Sequence, residues 1–259
     1  MKTVIIKPNI ASKTISKTLN LIKSSWLRQL KIIFYVLILI AIILIIMAII
    51  WQILIKINII TLANIITAQI ISQVISAIIF FLIAAAAQYL LINQLLNLNI
   101  KLKENLANLK KYWAKFLCLT IIINLIFLLT TLPIYVAVFL ILLKSYVLGI
   151  FTLLVGFCTI LFLAAYLVTS PYLLVDKKLF CIEAIKKSFK LAEGNFWQIL
   201  IKIIILSVIL LILNLLTFIL ISLPYFGALL SGLILIIMII IAFSYLAVLY
   251  QELKIAKNF

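Results

Sequence analysis

Residues 170–197 read SPYLLVDKKLFCIEAIKKSFKLAEGNFW. The stretch leaves an apolar run, turns at Asp176-Lys177-Lys178, and then changes period. Ile185, Phe189, Ala192 and Phe196 follow at intervals of 4, 3 and 4, which places four apolar side chains on one face of a helix. Glu183 precedes Lys186 and Lys187 by three and four residues, and Lys190 precedes Glu193 by three, spacings that support an exposed helical face. Gly194 is suited to the left-handed conformation that ends a helix, and Asn195 to capping the next. Phe196 and Trp197 then open a second apolar run, where aromatic rings favour headgroup depth. A short helix with lysines on its flanks and Ile and Phe on one face is expected to lie in a membrane interface.

The same pattern occurs twice more. Ile15, Leu19, Ile22 and Trp26 share the 4-3-4 spacing, as do Leu102, Leu106, Leu109 and Trp113. The three copies begin 87 and 83 residues apart, carry basic residues, and each precedes two long apolar runs. This is the signature of an internal repeat. The expectation is one integral membrane domain over residues 1–259, all-α, with six transmembrane helices and three interfacial amphipathic helices in a pseudo-threefold arrangement. The units span about 12–95, 98–175 and 180–250.

Composition points the same way. The chain is 68% hydrophobic and 10% charged, against about 45–50% and 25% in soluble domains. Six apolar runs, near 32–55, 66–92, 116–143, 146–174, 198–222 and 226–250, approach or exceed the ~20 residues a helix needs to cross hydrocarbon. Lipid offers no partners for backbone N–H and C=O groups, so runs rich in Ile and Val must be helices there, whatever their preference in water. The first run is 24 residues long, too long for the h-region of a signal peptide, and no small-residue cleavage site follows it. Pro133 is expected to kink the third span. Pro224 and Gly227 should shape a tight turn before the sixth. Gly149 and Gly156, seven apart in the fourth span, should permit close helix contact.

The net charge of +17 comes from 21 Lys and a single Arg, Arg28, against five acidic residues. The basic residues gather in four segments. Lys2, Lys7, Lys13, Lys17, Lys23, Arg28 and Lys31 precede the first span. Lys101, Lys103, Lys110, Lys111 and Lys115 lie between spans two and three. Lys177, Lys178, Lys186, Lys187, Lys190 and Lys202 lie between spans four and five, and Lys254 and Lys257 follow the sixth. Lys56 and Lys144 alone fall on the other side, a division of 20 to 2. By the positive-inside rule both termini face the cytoplasm, in a multi-pass protein of the bacterial inner membrane. Charges confined beside apolar runs suit anionic lipid headgroups rather than nucleic acid. The candidate lipid contacts are Lys17, Lys23, Lys103, Lys110, Lys111, Lys186, Lys187 and Lys190.

Catalytic chemistry has little to stand on. There is no histidine and no Asp or Glu within the six runs, so neither general acid–base nor metal chemistry finds its usual groups. No nucleotide-binding or nucleophile-elbow motif is present, and no cofactor is expected. Cys118, Cys158 and Cys181 are odd in number, far apart and in no CxxC pair, so neither metal nor disulfide roles are expected of them, and small core or interfacial packing is. Gln69, Gln73, Gln88, Asn124, Ser207, Asn214 and Thr217 fall within the spans. Their expected role is hydrogen bonding between helices; a substrate path is the competing reading.

Pro171-Tyr-Leu-Leu-Val-Asp176, Glu183-Ala-Ile-Lys-Lys-Ser-Phe189 and Gly194-Asn-Phe-Trp197 together resemble a signature of uncharacterised six-span bacterial membrane proteins of the YciC type. They are also similar to the membrane domain joined to some glycerophosphodiester phosphodiesterases. The chain departs from that pattern at Phe189, where the group often has Trp. The resemblance implies six helices in the inner membrane and no catalytic residues in this part. The functional expectation is therefore a non-enzymatic membrane protein with a structural, lipid-associated or partner-binding role, and the alternative is a small permease or transporter subunit.

Overall fold

A computed structural model describes residues 10–56, 65–222 and 226–257. The elements are α1 (Ile10–Lys56), α2 (Ile65–Leu96), α3 (Leu102–Leu142), α4 (Tyr146–Leu167), α5 (Ser170–Lys177), α6 (Cys181–Ala192), α7 (Phe196–Ile221) and α8 (Gly227–Ala256). No strand occurs among the described residues. Six stretches are long and apolar enough to cross a membrane, α4 and α5 together forming one of them over Tyr146–Lys177. Among the described residues the chain is thus all-helical, with six stretches whose length and composition suit a multi-pass membrane protein. Pro171 begins α5, where its missing N–H costs nothing and its fixed φ suits the first turn.

The three amphipathic stretches are built differently from one another. Only the third is a separate helix: α6 ends at Ala192, and Gly194, at φ 79°, turns the chain into α7. Residues 15–26 and 102–113 instead continue without a break into the spans that follow, inside α1 of 47 residues and α3 of 41. At 1.5 Å per residue these rise about 70 and 60 Å, twice the ~30 Å of hydrocarbon. The physical reason for the difference is Gly194. Neither Trp26 nor Trp113 is followed by a glycine or proline that would interrupt the i→i−4 ladder. Asn195 occupies the N-cap of α7 but makes no side-chain capping bond. Helix α3 also runs through Pro133 unbroken. Lys2, Lys7 and the Pro224 turn lie outside the described residues.

Helix neighbours close a ring in the order α1, α2, α3, α4, α7, α8 and back to α1, with α2 also touching α8 across it. The short helices sit at one end, α5 against α2 and α3, and α6 against α3, α4 and α5. Tight packing of α3 on α4 comes from the two glycines, as their spacing suggests. A Cβ on Gly149 would fall 2.6 Å from Ile141 Cγ1, and one on Gly156 3.0 Å from Ile134 Cγ1. Gly227 acts by closeness rather than by unusual backbone angles, since its Cβ would meet the Leu220 carbonyl at 2.5 Å.

Burial is uneven along the bundle. The core lies where the charged segments meet: Tyr89, Leu95, Phe116, Leu119, Leu191, Ile199, Tyr250 and Leu253 surround Tyr172–Val175 of α5, all buried. Farther along, Leu128, Leu129, Tyr135 and Phe139 of α3, Phe151 of α4, and Leu211 and Phe218 of α7 are exposed. Of the most apolar stretch of each span, only 6% is buried in α3 and α7, against 33% in α8. The accessible surface totals 16670 Å², whereas a compact soluble protein of 29.4 kDa would expose about 11,500 Å². Many large apolar side chains contribute to that exposed surface, and hydrocarbon is the environment in which they carry no penalty.

Candidate functional site at the basic end

Helix α8 supplies most of the polar anchors. Glu252 is the first. Its Oε2 accepts from Lys202 Nζ at 2.7 Å and from Thr14 Oγ1 at 3.0 Å, and its Oε1 accepts from Lys17 Nζ at 2.8 Å. One carboxylate thereby joins α1, α7 and α8. Two residues on, Lys254 Nζ donates to Asp176 Oδ2 at 2.7 Å, and Tyr250 Oη donates to the same oxygen at 2.7 Å. Tyr172 stacks on Tyr250 at 5.9 Å and donates to the Phe243 carbonyl at 3.0 Å. Gln29 of α1 reaches Ser244 at 3.1 Å, and Lys257 donates to the carbonyl of Lys190. The final turns of α8 thus hold α1, α5, α6 and α7.

The remaining joints use amides, hydroxyls and rings. Asn93 Nδ2 donates to Asn105 Oδ1 at 2.8 Å, and Asn105 Nδ2 donates to the Leu90 carbonyl at 3.0 Å, tying α2 to α3. Ser188 of α6 bonds Thr169 at 2.7 Å and the Tyr166 carbonyl. Tyr166 lies 4.8 Å from Phe189 and 5.6 Å from Phe196 between ring centroids, so the aromatic positions of the third repeat copy pack against α4. Gln29 Oε1 and Tyr245 Oη are buried without a partner.

Among the described residues, seven of the eight candidate lipid lysines have no acidic partner. Lys23, Lys103, Lys110, Lys111, Lys186 and Lys190 are exposed and Lys187 half-buried. The three ion pairs among the described residues use Lys17, Lys202 and Lys254. Lys17, 45% exposed, is therefore committed to Glu252, although the sequence placed it with the lipid contacts. The Glu183–Lys186/Lys187 and Lys190–Glu193 pairs suggested by spacing do not form. Exposed pairs of that kind gain little against side-chain entropy. An open groove of about 520 Å³ beside the start of α3 is lined by Leu30, Lys31, Phe34, Tyr35, Ile38 and Leu102.

Lys202 is the residue that sequence reasoning misplaced. Its charge groups it with the basic residues between spans four and five, although the run 198–222 already contains it; it lies within α7 and is buried, 5% exposed. The available signal was its setting, QILIKIIIL, a single charge with apolar neighbours on both sides. Such a lysine requires a counter-charge. The in-span polar residues also differ from expectation. Asn124 and Thr217 bond back to Thr120 and Leu213 of their own helices, while Gln69, Gln73, Ser207 and Asn214 are exposed. Cys118 and Cys181, far apart in sequence, bring their sulfurs within 2.6 Å. No group of three or more His, Cys, Asp or Glu side chains that could hold a metal ion occurs among the described residues. No family model, curated protein or solved structure matches the chain.

Proposed function

We propose that this is a multi-pass protein of the bacterial inner membrane, with both termini cytoplasmic, acting as a non-catalytic structural, lipid-associated or partner-binding module. Its ligand on this reading is anionic lipid, engaged by Lys23, Lys103, Lys110, Lys111, Lys186, Lys187 and Lys190. The carrying observation is the gathering of these unpaired lysines at the packed end of a bundle whose other half is apolar and exposed. The likeness to six-span membrane proteins of the YciC type belongs to the same proposal. So does a three-unit organisation, supported by the shared 4-3-4 spacing and by the helical state of residues 15–26 and 102–113. The permease alternative draws on buried Lys202. That side chain, however, is neutralised by Glu252 near the charged end, which suits an anchor better than a carrier of substrate.

The test bears on α6. Each lysine near an anionic surface contributes about 1 kcal/mol, so Lys186, Lys187 and Lys190 together are worth roughly a hundredfold in attachment. Spin-label accessibility is measured at exposed Ile182 and Glu193, each replaced by cysteine, in bilayers with and without anionic lipid. Replacing the three lysines by Gln is expected to raise accessibility in the anionic bilayer only, and added salt should reproduce that rise. Equal accessibility of parent and variant in both bilayers overturns the lipid reading.

A further inference from the structure

We propose that Cys118 and Cys181 are a redox-responsive pair, reduced under cytoplasmic conditions and closing, when an oxidising reagent is present, to an intramolecular disulfide that staples α6 to α3. The two residues are separated by 63 positions in sequence, on different helices, yet their sulfurs approach to 2.6 Å. A covalent S–S bond is about 2.05 Å, so closing it asks for roughly half an ångström of approach between the sulfurs. Both thiols are free and half-buried, whereas Cys158 is exposed elsewhere along α4. Two sulfur ligands with no third side chain fall short of a metal site, but they are sufficient for a disulfide.

The surroundings hold the two residues together. Lys115, one turn before Cys118, sits with its Nζ 3.9 Å from the ring centroid of Phe180, the residue preceding Cys181. The cation thus holds the residue before Cys181 against α3. The partner reagent is a low-molecular-weight disulfide. One cysteine thiolate attacks a sulfur of that reagent, breaks its S–S bond and expels one small thiolate. The second cysteine then attacks the protein sulfur of the mixed disulfide, forms the Cys118–Cys181 bond and expels the other thiolate. The two cysteine protons pass to the two expelled thiolates. The protein loses two electrons, and the reagent gains them as it becomes two thiols.

The consequence is local. Helix α6 carries Lys186, Lys187 and Lys190, and α3 is one of the three helices it packs against. A covalent tie at its first residue fixes its start against α3 regardless of salt or lipid. The proposal does not rest on the lipid reading, and either can fail alone.

The experiment uses the full chain in membranes, with Cys158→Ser to remove the third thiol. After treatment with oxidised glutathione, free thiols are blocked under denaturing conditions with a maleimide polymer and counted by gel shift. The expected result is two labels before oxidation, none after, and recovery of both on reduction, all at monomer size on a non-reducing gel. Tandem mass spectrometry should find the peptides bearing residues 118 and 181 joined. Cys118→Ser and Cys181→Ser, each in the Cys158→Ser background, should stop at the mixed disulfide, the remaining cysteine carrying one glutathione by mass with no joined peptides. Two labels after oxidation, glutathione left on both cysteines, or a bond only between chains overturns the proposal.

Discussion

Removal of Glu252 should destabilise the protein far more than removal of either lysine it binds. Glu252→Ala leaves Lys202, its side chain 6% exposed, with a buried charge and no partner. Stranding one member of a buried pair typically costs about 3–5 kcal/mol. Because the carboxylate is itself 18% exposed, the lower end, about 3 kcal/mol, is the expected loss. Lys202→Met is milder. Glu252 retains Lys17 at 2.8 Å and Thr14 at 3.0 Å, and Met fills most of the lysine stem, so the loss should be about 1 kcal/mol. Lys17→Met removes a half-exposed pair and should cost at most about 1 kcal/mol. The double variant Glu252→Ala/Lys202→Met should be more stable than the sum of its parts by about 2 kcal/mol, since the stranded charge disappears. The assay is unfolding in mixed micelles at rising denaturing-detergent fraction, followed by tryptophan fluorescence. Equal losses for Glu252→Ala and Lys202→Met, or additivity in the double variant, would refute the reasoning.

Two further outcomes are expected. Gly149→Val should cost about 1–3 kcal/mol in the same assay, because its Cβ lands 2.6 Å from Ile141 Cγ1, whereas Gly232→Ala meets nothing within 4 Å and should be neutral or stabilising by up to about 1 kcal/mol; similar losses at both sites would remove the argument for close α3–α4 packing. Reporters of periplasmic activity fused after Asn64 or Tyr225 should be active, and those fused after Lys178 or Phe259 silent; Asn64, Tyr225 and Phe259 lie outside the described residues, so this orientation rests on charge placement, and the reverse pattern would invert it.

Length and the absence of charge made the six spans legible, because a membrane imposes both directly on sequence. The tight glycine face was legible for a similar reason: Gly149 and Gly156 act through what they lack. Gly194 announced the break between α6 and α7 because a left-handed turn favours glycine. What escaped was pairing. Nothing in the spacing of Lys202 names Glu252 as its partner, and nothing near Asn93 names Asn105, since each bond depends on two helices meeting in one register. The Cys118–Cys181 approach was hidden for the same reason. The unbroken run of α1 was missed because an amphipathic stretch and an apolar span share one helical period, so their junction carries no mark unless a glycine or proline supplies it.

The dependence of the packed end on α8 has a consequence for biosynthesis. A ribosome delivers α1, α2, α5, α6 and α7 before the turns of α8 that carry Ser244, Tyr250, Glu252 and Lys254. Until those turns arrive, Lys202 and Lys17 lack their carboxylate, Asp176 lacks both donors, and Gln29 lacks Ser244. Each span can enter the bilayer as it emerges, but the joints between spans must wait. The growing chain is therefore a set of inserted helices with unmet polar groups, open to wrong partners and to membrane proteases for as long as synthesis continues. A chain that ends before Ser244 has its first five spans complete but the sixth cut short and the joints unmade, and Lys202 and Asp176, both lacking their partners, distinguish it from the finished protein.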